Sequence, residues 1–189
     1  VATNGNILNL SAGGQLVRRR VKTESDISLP NGVWGGEELL TSRENEWNAD
    51  LNGDYELGLG GGRLKLIGLY RYEHSPFVDR FTAANGQRTT INTVSNEDER
   101  ILRSEYRWSK GKGEWQVSLE GAFNKLDSNA DIAVTPAGGQ DVFQPLAGAN
   151  ALVKEARAES LLSYGRPLAD NLRLQLIGGG EYSRVSVKL

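Results

Sequence analysis

The feature that most constrains this chain is an alternation of apolar and polar residues, kept up over long stretches. In "EWQVSLEGAFNKL" (114–126), Trp115, Val117, Leu119, Gly121 and Phe123 fall on one side. Glu114, Gln116, Ser118, Glu120 and Asn124 fall on the other. A period of two is the side-chain geometry of a β-strand, because successive Cβ atoms point to opposite faces. "EWNADLNGDYEL" sets Trp47, Ala49, Leu51, Gly53, Tyr55 and Leu57 against Glu46, Asn48, Asp50, Asn52, Asp54 and Glu56. "RLKLIGLYRYE", "ILRSEYRW" and "LRLQLIGGGEYS" alternate likewise, and "ILNLSAGGQLVRRR" does so more weakly. "VKEARAESLL" (153–162) has helix-forming composition, yet Ala156, Ala158, Ser160, Leu162 and Tyr164 keep the two-residue period and read as strand.

Seven strands are predicted, at roughly 6–27, 43–58, 63–76, 94–108, 114–131, 153–165 and 172–187. Short turns at 59–62, 109–113 and 166–171 are marked by Gly or Pro. Longer polar connections at 28–42, 77–93 and 132–152 alternate strictly with them. Outer-membrane barrels have this asymmetry, with short periplasmic turns at one end and longer extracellular loops at the other. The whole of 1–189 reads as one such segment, all-β and antiparallel.

Composition narrows the classes further. Hydrophobic residues make up 38% and no apolar run is long enough for a transmembrane helix, which needs about 20 residues. Barrel strands are not excluded by this, since every second residue faces a polar lumen. Net charge is -2, from 22 basic and 24 acidic residues, so nucleic acid is not an expected partner. There is no cysteine and no methionine, and the chain opens on Val1; a processed chain or a piece of a longer one is expected.

Aromatic residues bracket the apolar face. Trp47 and Tyr55 are eight residues apart, as are Trp115 and Phe123. At about 3.3 Å per residue and a tilt of about 40°, that spacing climbs about 20 Å, close to the ~25 Å apolar band of membrane barrels. Tyr55, Tyr106, Trp108, Trp115 and Tyr164 lie near short turns, and Trp47, Tyr72, Phe123 and Tyr182 towards the opposite ends. These nine are the candidate membrane-interface aromatics, with apolar bodies for hydrocarbon and, in Trp and Tyr, polar tips for headgroups. Mid-strand positions of the apolar face often hold small residues (Ala49, Gly53, Gly68, Gly121, Gly178, Gly180), where a soluble core would place large ones. The candidate lumen-facing charges are Asp50, Asp54, Arg63, Lys65, Arg71, Arg103, Glu105, Arg107, Glu120 and Arg173. A lipid-facing Leu119 should resist replacement by Arg far more than Ser118 on the opposite face. A soluble β-sandwich or barrel acting as a binding module is the alternative of another class.

Catalytic and metal motifs are absent from this reading. "DLNGDYE" spaces Asp50, Asn52 and Asp54 like a calcium loop, but its Gly is misplaced and no Glu stands at the twelfth position. "GLGGGR" lacks the Lys–Ser/Thr of a phosphate loop. "YEHS" (72–75) offers hydrolase residue types, but consecutive strand residues point to opposite faces. No enzyme and no cofactor are expected.

The segments "NEWNADLNGDYELGLGGGRLKLIGLYRYE" and "ERILRSEYRWSKGKGEWQVSLEGAFNKL" each run long strand, Gly turn, long strand. In these the chain resembles part of the barrel of a TonB-dependent outer-membrane receptor. That resemblance implies a Gram-negative bacterial outer-membrane location and a family-typical 22-stranded barrel around a plug domain. It also implies TonB-driven import of a siderophore, cobalamin, metal chelate or sugar-like nutrient. Partners would be membrane lipid, a small-molecule ligand, the plug, the rest of the barrel and TonB. No plug-like domain, TonB box, signal peptide or terminal aromatic is found, so a barrel portion is expected rather than a complete receptor. A passive porin-type barrel is the alternative within the class.

Overall fold

The computed structural model describes residues 5–146 and 148–189. Among them every regular element is a β-strand: β1 (Ile7–Ser28), β2 (Trp34–Leu59), β3 (Gly62–Thr82), β4 (Arg88–Lys110), β5 (Gly113–Thr135), β6 (Val142–Gln144), β7 (Asn150–Ala169) and β8 (Leu172–Lys188). All pairings are antiparallel, in the order β1-β2-β3-β4-β5-β7-β8, with β6 against β5. The stretch 153–162 is strand, inside β7, so period outweighs helix propensity there.

The strands run further than the alternation suggested. The expected connection 28–42 reduces to 29–33, and 77–93 to 83–87, because β2, β3 and β4 continue through segments that mix polar and apolar residues on both faces, such as Leu39 and Leu40 or Phe77 and Val78. Alternation of hydrophobicity marks a strand only where one face is apolar; backbone pairing continues without it. Residues 132–152 come closest to the expected loop, though β5 reaches Thr135 and the segment carries β6. Here Thr135 Oγ1 donates to the Asp141 carboxylate, and Arg88 bonds both at 3.3 Å, folding the connection back onto β5. Tyr72 and Phe123, expected near strand ends, consequently sit mid-strand.

The sheet is a single layer. Among the described residues only Ala122 and Ala133 are buried apolar side chains, and no second sheet or helix covers either face. It is also open: β1 pairs only with β2 and β8 only with β7. Yet it is not flat. Side chains from β2 (Glu56) to β8 (Arg173, Gln175) line one hollow of ≈ 580 Å³, so the sheet curls around one of its faces.

Candidate functional site

Cross-strand partners share a face, so the register sorts every side chain. All nine predicted aromatics fall on the convex face, and all ten predicted charges on the concave one. Exposure follows the same division. In β7, Lys154, Ala156, Ala158, Ser160 and Leu162 of the convex face are exposed, while Glu155, Arg157, Glu159 and Leu161 between them are half-buried. Leu102 is 67% exposed and Leu119 54%, whereas Glu105 on the concave face is only 8% exposed. A water-soluble sheet has the opposite arrangement.

The aromatics form two sloping rows. At the short-turn end the rings make a continuous chain: Tyr106 to Trp108 at 5.4 Å, Trp108 to Trp115 at 6.0 Å, and Trp115 to Tyr164 at 4.4 Å. The Tyr106 hydroxyl donates to the Leu59 carbonyl at 2.8 Å. In the other row Trp47 lies 5.2 Å from Tyr72, whose hydroxyl donates to Asn96 Oδ1 at 3.0 Å.

Register gives the slope. Trp47 stands opposite His74, so Tyr72 is two residues nearer the short turns. Phe123 is level with Leu51, through Arg100 and Tyr70, which makes four residues. Tyr182 is level with Gly53, through Ala158, Gly121, Leu102 and Gly68, which makes six. With a rise of about 3.3 Å per residue and strands about 4.8 Å apart, six residues over the five steps from β2 to β8 correspond to a strand tilt of about 40°. The lower row descends the same way, Tyr164 being level with Leu59, four residues beyond Tyr55 over four steps. The two rows are therefore nearly parallel, and the strands cross them at the tilt typical of closed barrels.

The concave face is held by ion pairs across and along strands. Glu105 receives Arg103 at 3.0 Å and Arg107 at 2.8 Å; Glu120 receives Arg157 at 3.1 Å and Arg103 at 3.8 Å. Asp54 meets Lys65 at 3.7 Å, and Arg63 pairs with Glu56, as Arg173 does with Glu114. Asp50 accepts from Asn52 at 3.1 Å, so the calcium-like spacing of "DLNGDYE" is an internally bonded row on the concave face. Arg71 lies on the same face beside Glu73, Glu97 and Glu99. Ser118, expected to be a tolerant position, is only 5% exposed, opposite Glu105 and walled by Arg103, Glu120 and Glu159.

The residues of "YEHS" separate as the strand period requires. Ser75 donates to Glu73 at 3.0 Å on the concave face, while His74 Nδ1 meets Asn96 Oδ1 at 2.8 Å on the convex one. One feature escaped the sequence reading. Arg100 lies on the convex face within the upper aromatic row, its guanidinium 5.7 Å from the Tyr70 ring and 5.9 Å from Phe123. Its place in the period of β4 was legible, but the two rings flanking it come from other strands.

No protein-family model matches the chain, and no curated protein matches it.

Proposed function

We propose that this sheet is a sector of the wall of an outer-membrane β-barrel, with its convex face in lipid and its concave face towards an aqueous lumen. One observation carries the reading: in a single layer without a core, large apolar residues of the convex face such as Leu102 and Leu119 stand exposed, while Glu105, Ser118 and Glu120 of the concave face are buried or half-buried. In water, leaving Leu10, Leu51, Leu102, Leu119 and Leu176 outside would forgo roughly 1.5–3 kcal/mol each; in hydrocarbon that exposure carries no such cost. Two parallel aromatic rows, eight residues apart along β2 and β5, fit the borders of such a band. Beyond the upper row the strands continue for ten or more residues in β2 to β5, so one end projects well past the band. The open edges of β1 and β8 call for further strands, because a bilayer does not tolerate unpaired backbone.

Within this class we favour a TonB-dependent importer for a siderophore, cobalamin, metal chelate or sugar-like nutrient. Its basis is the strand–turn–strand resemblance and a concave wall bearing charges of both signs, suited to contact with a polar plug. The parent gene then encodes a plug-like domain upstream; a parent without one is a porin-type barrel instead.

The membrane reading is tested by folding. The intact parent barrel should gain its strands in detergent micelles or lipid vesicles, and a parent that is monodisperse and strand-rich in plain buffer would sink it. Leu119→Arg should cost roughly 2–4 kcal/mol of folding free energy in vesicles, and Gln175→Arg, on the exposed concave side of β8, far less. Equal costs would overturn the assignment of faces.

A further inference from the structure

Just beyond the upper aromatic row, the convex face of β1 to β3 gathers basic residues, while β4 and β5 carry Asp98, Asp127 and Asp131 there. Arg20 of β1 and Arg43 of β2 are direct cross-strand partners, four residues past Trp47. Arg80 of β3 stands opposite Thr41, on the same face and two residues beyond Arg43 along β2. Together with Lys22 they line an outward groove of ≈ 540 Å³. All four side chains are exposed. Like charges set directly opposite each other destabilise a sheet unless an anion offsets them. Among the described residues no carboxylate lies within ion-pair distance of Arg20, Arg43 or Arg80, although the Asp141 carboxylate is near enough to feel the Arg80 charge; Lys22 pairs with Glu24. On the concave side the arrangement differs: Arg19, one residue from Arg20, is paired with Glu44 at 3.3 Å.

We propose that this groove binds the phosphate groups of a membrane lipid whose headgroup carries more than one phosphate, in the leaflet at the long-strand end. The proposal rests on the lipid-facing reading of the convex face. Four residues past Trp47 place Arg20 and Arg43 about 13 Å further along the strands. An aromatic row marks the hydrocarbon border, and with strands tilted by about 40° the two guanidiniums stand about 10 Å above it, at the level of the headgroups. Three guanidiniums on adjacent strands present forked donors suited to phosphate oxygens, and a second phosphate on one headgroup can span from the Arg20–Arg43 pair to Arg80.

The test reconstitutes the parent barrel that contains this sheet in vesicles of zwitterionic phospholipid doped with a bis-phosphorylated glycolipid, and measures the glycolipid retained per protein after detergent extraction. Each basic residue near a phosphate surface contributes roughly a fivefold factor, so R20Q/R43Q/R80Q should lower retention on the order of a hundredfold. The charge-preserving R20K/R43K/R80K chain should keep most of it. The concave-face control R63Q/R107Q/R173Q, with the same change in net charge, should retain as much as the parent. Equal retention by the Gln groove variant and this control overturns the proposal, as does full displacement by millimolar inorganic pyrophosphate, which would make the ligand a soluble phosphate. If the barrel inserts but holds the glycolipid no better than the zwitterionic lipid, this inference alone fails. Failure to insert into any vesicle overturns the lipid-facing reading as well.

Discussion

Gly60, Gly61 and Gly62 show how single residues set the short-turn end. Gly60 and Gly61 have φ of 56° and 83°, the left-handed pair required by the tight hairpin between β2 and β3. Gly62 has a different reason: a Cβ there would meet the Arg107 carbonyl and come within 2.8 Å of the Tyr106 ring. That ring crosses the turn so that its hydroxyl reaches Leu59, which joins the lower aromatic row to the hairpin. Gly62→Ala should therefore cost about 1–3 kcal/mol by overpacking, read as a lower denaturant midpoint in micelles. Gly68→Ala, on the open convex face where a Cβ would meet nothing within 4 Å, should be neutral or mildly stabilising. A loss at Gly62 without one at Gly68, on the same strand, separates close approach from backbone freedom.

At the scale of elements, the connection between β5 and β7 is tied down by one carboxylate. The Thr135 hydroxyl first, helped by Arg88 and the more distant Arg80, holds the Asp141 carboxyl below its ordinary range against the opposing effect of desolvation. A carboxyl depressed in the folded state adds stability above its unfolded pKa of 3.8 and loses it as pH falls through the lower, folded value. Amides of 137–144 should accordingly exchange faster as the pH drops below about 3.8, relative to those of β4. Asp141→Asn should show the faster exchange at every pH, because the uncharged amide removes the titration. A pH-independent pattern in the parent chain would show that the Thr135–Asp141–Arg88 contact does not hold the connection. Such anchoring was hidden in the sequence, since Arg88 and Asp141 are far apart in the chain and meet only through the β4–β5 register.

For the whole molecule, an open sheet predicts uneven protection. Each interior strand has two neighbours, whereas β1 and β8 leave alternate N–H groups of one edge without a strand partner. In micelles, alternate amides of β1 and β8 should exchange quickly while β3, β4 and β5 stay protected, and hydrogen exchange read by mass spectrometry or NMR checks this. Protection of β1 and β8 equal to that of β4 would mean that the edges meet each other or a second copy. What residues 5–189 could specify locally was legible: strand identity, the two faces, and the membership of all nine aromatics and ten charges on them. Those follow from a period of two, which each strand carries without its neighbours. The slope of the aromatic rows, the continuation of strands through 34–42 and 77–82, the burial of Ser118, and the meeting of Arg20 with Arg43 were not legible. Each depends on which residue stands opposite which, and cross-strand register is a relation between distant segments, decided only when the sheet assembles and curls.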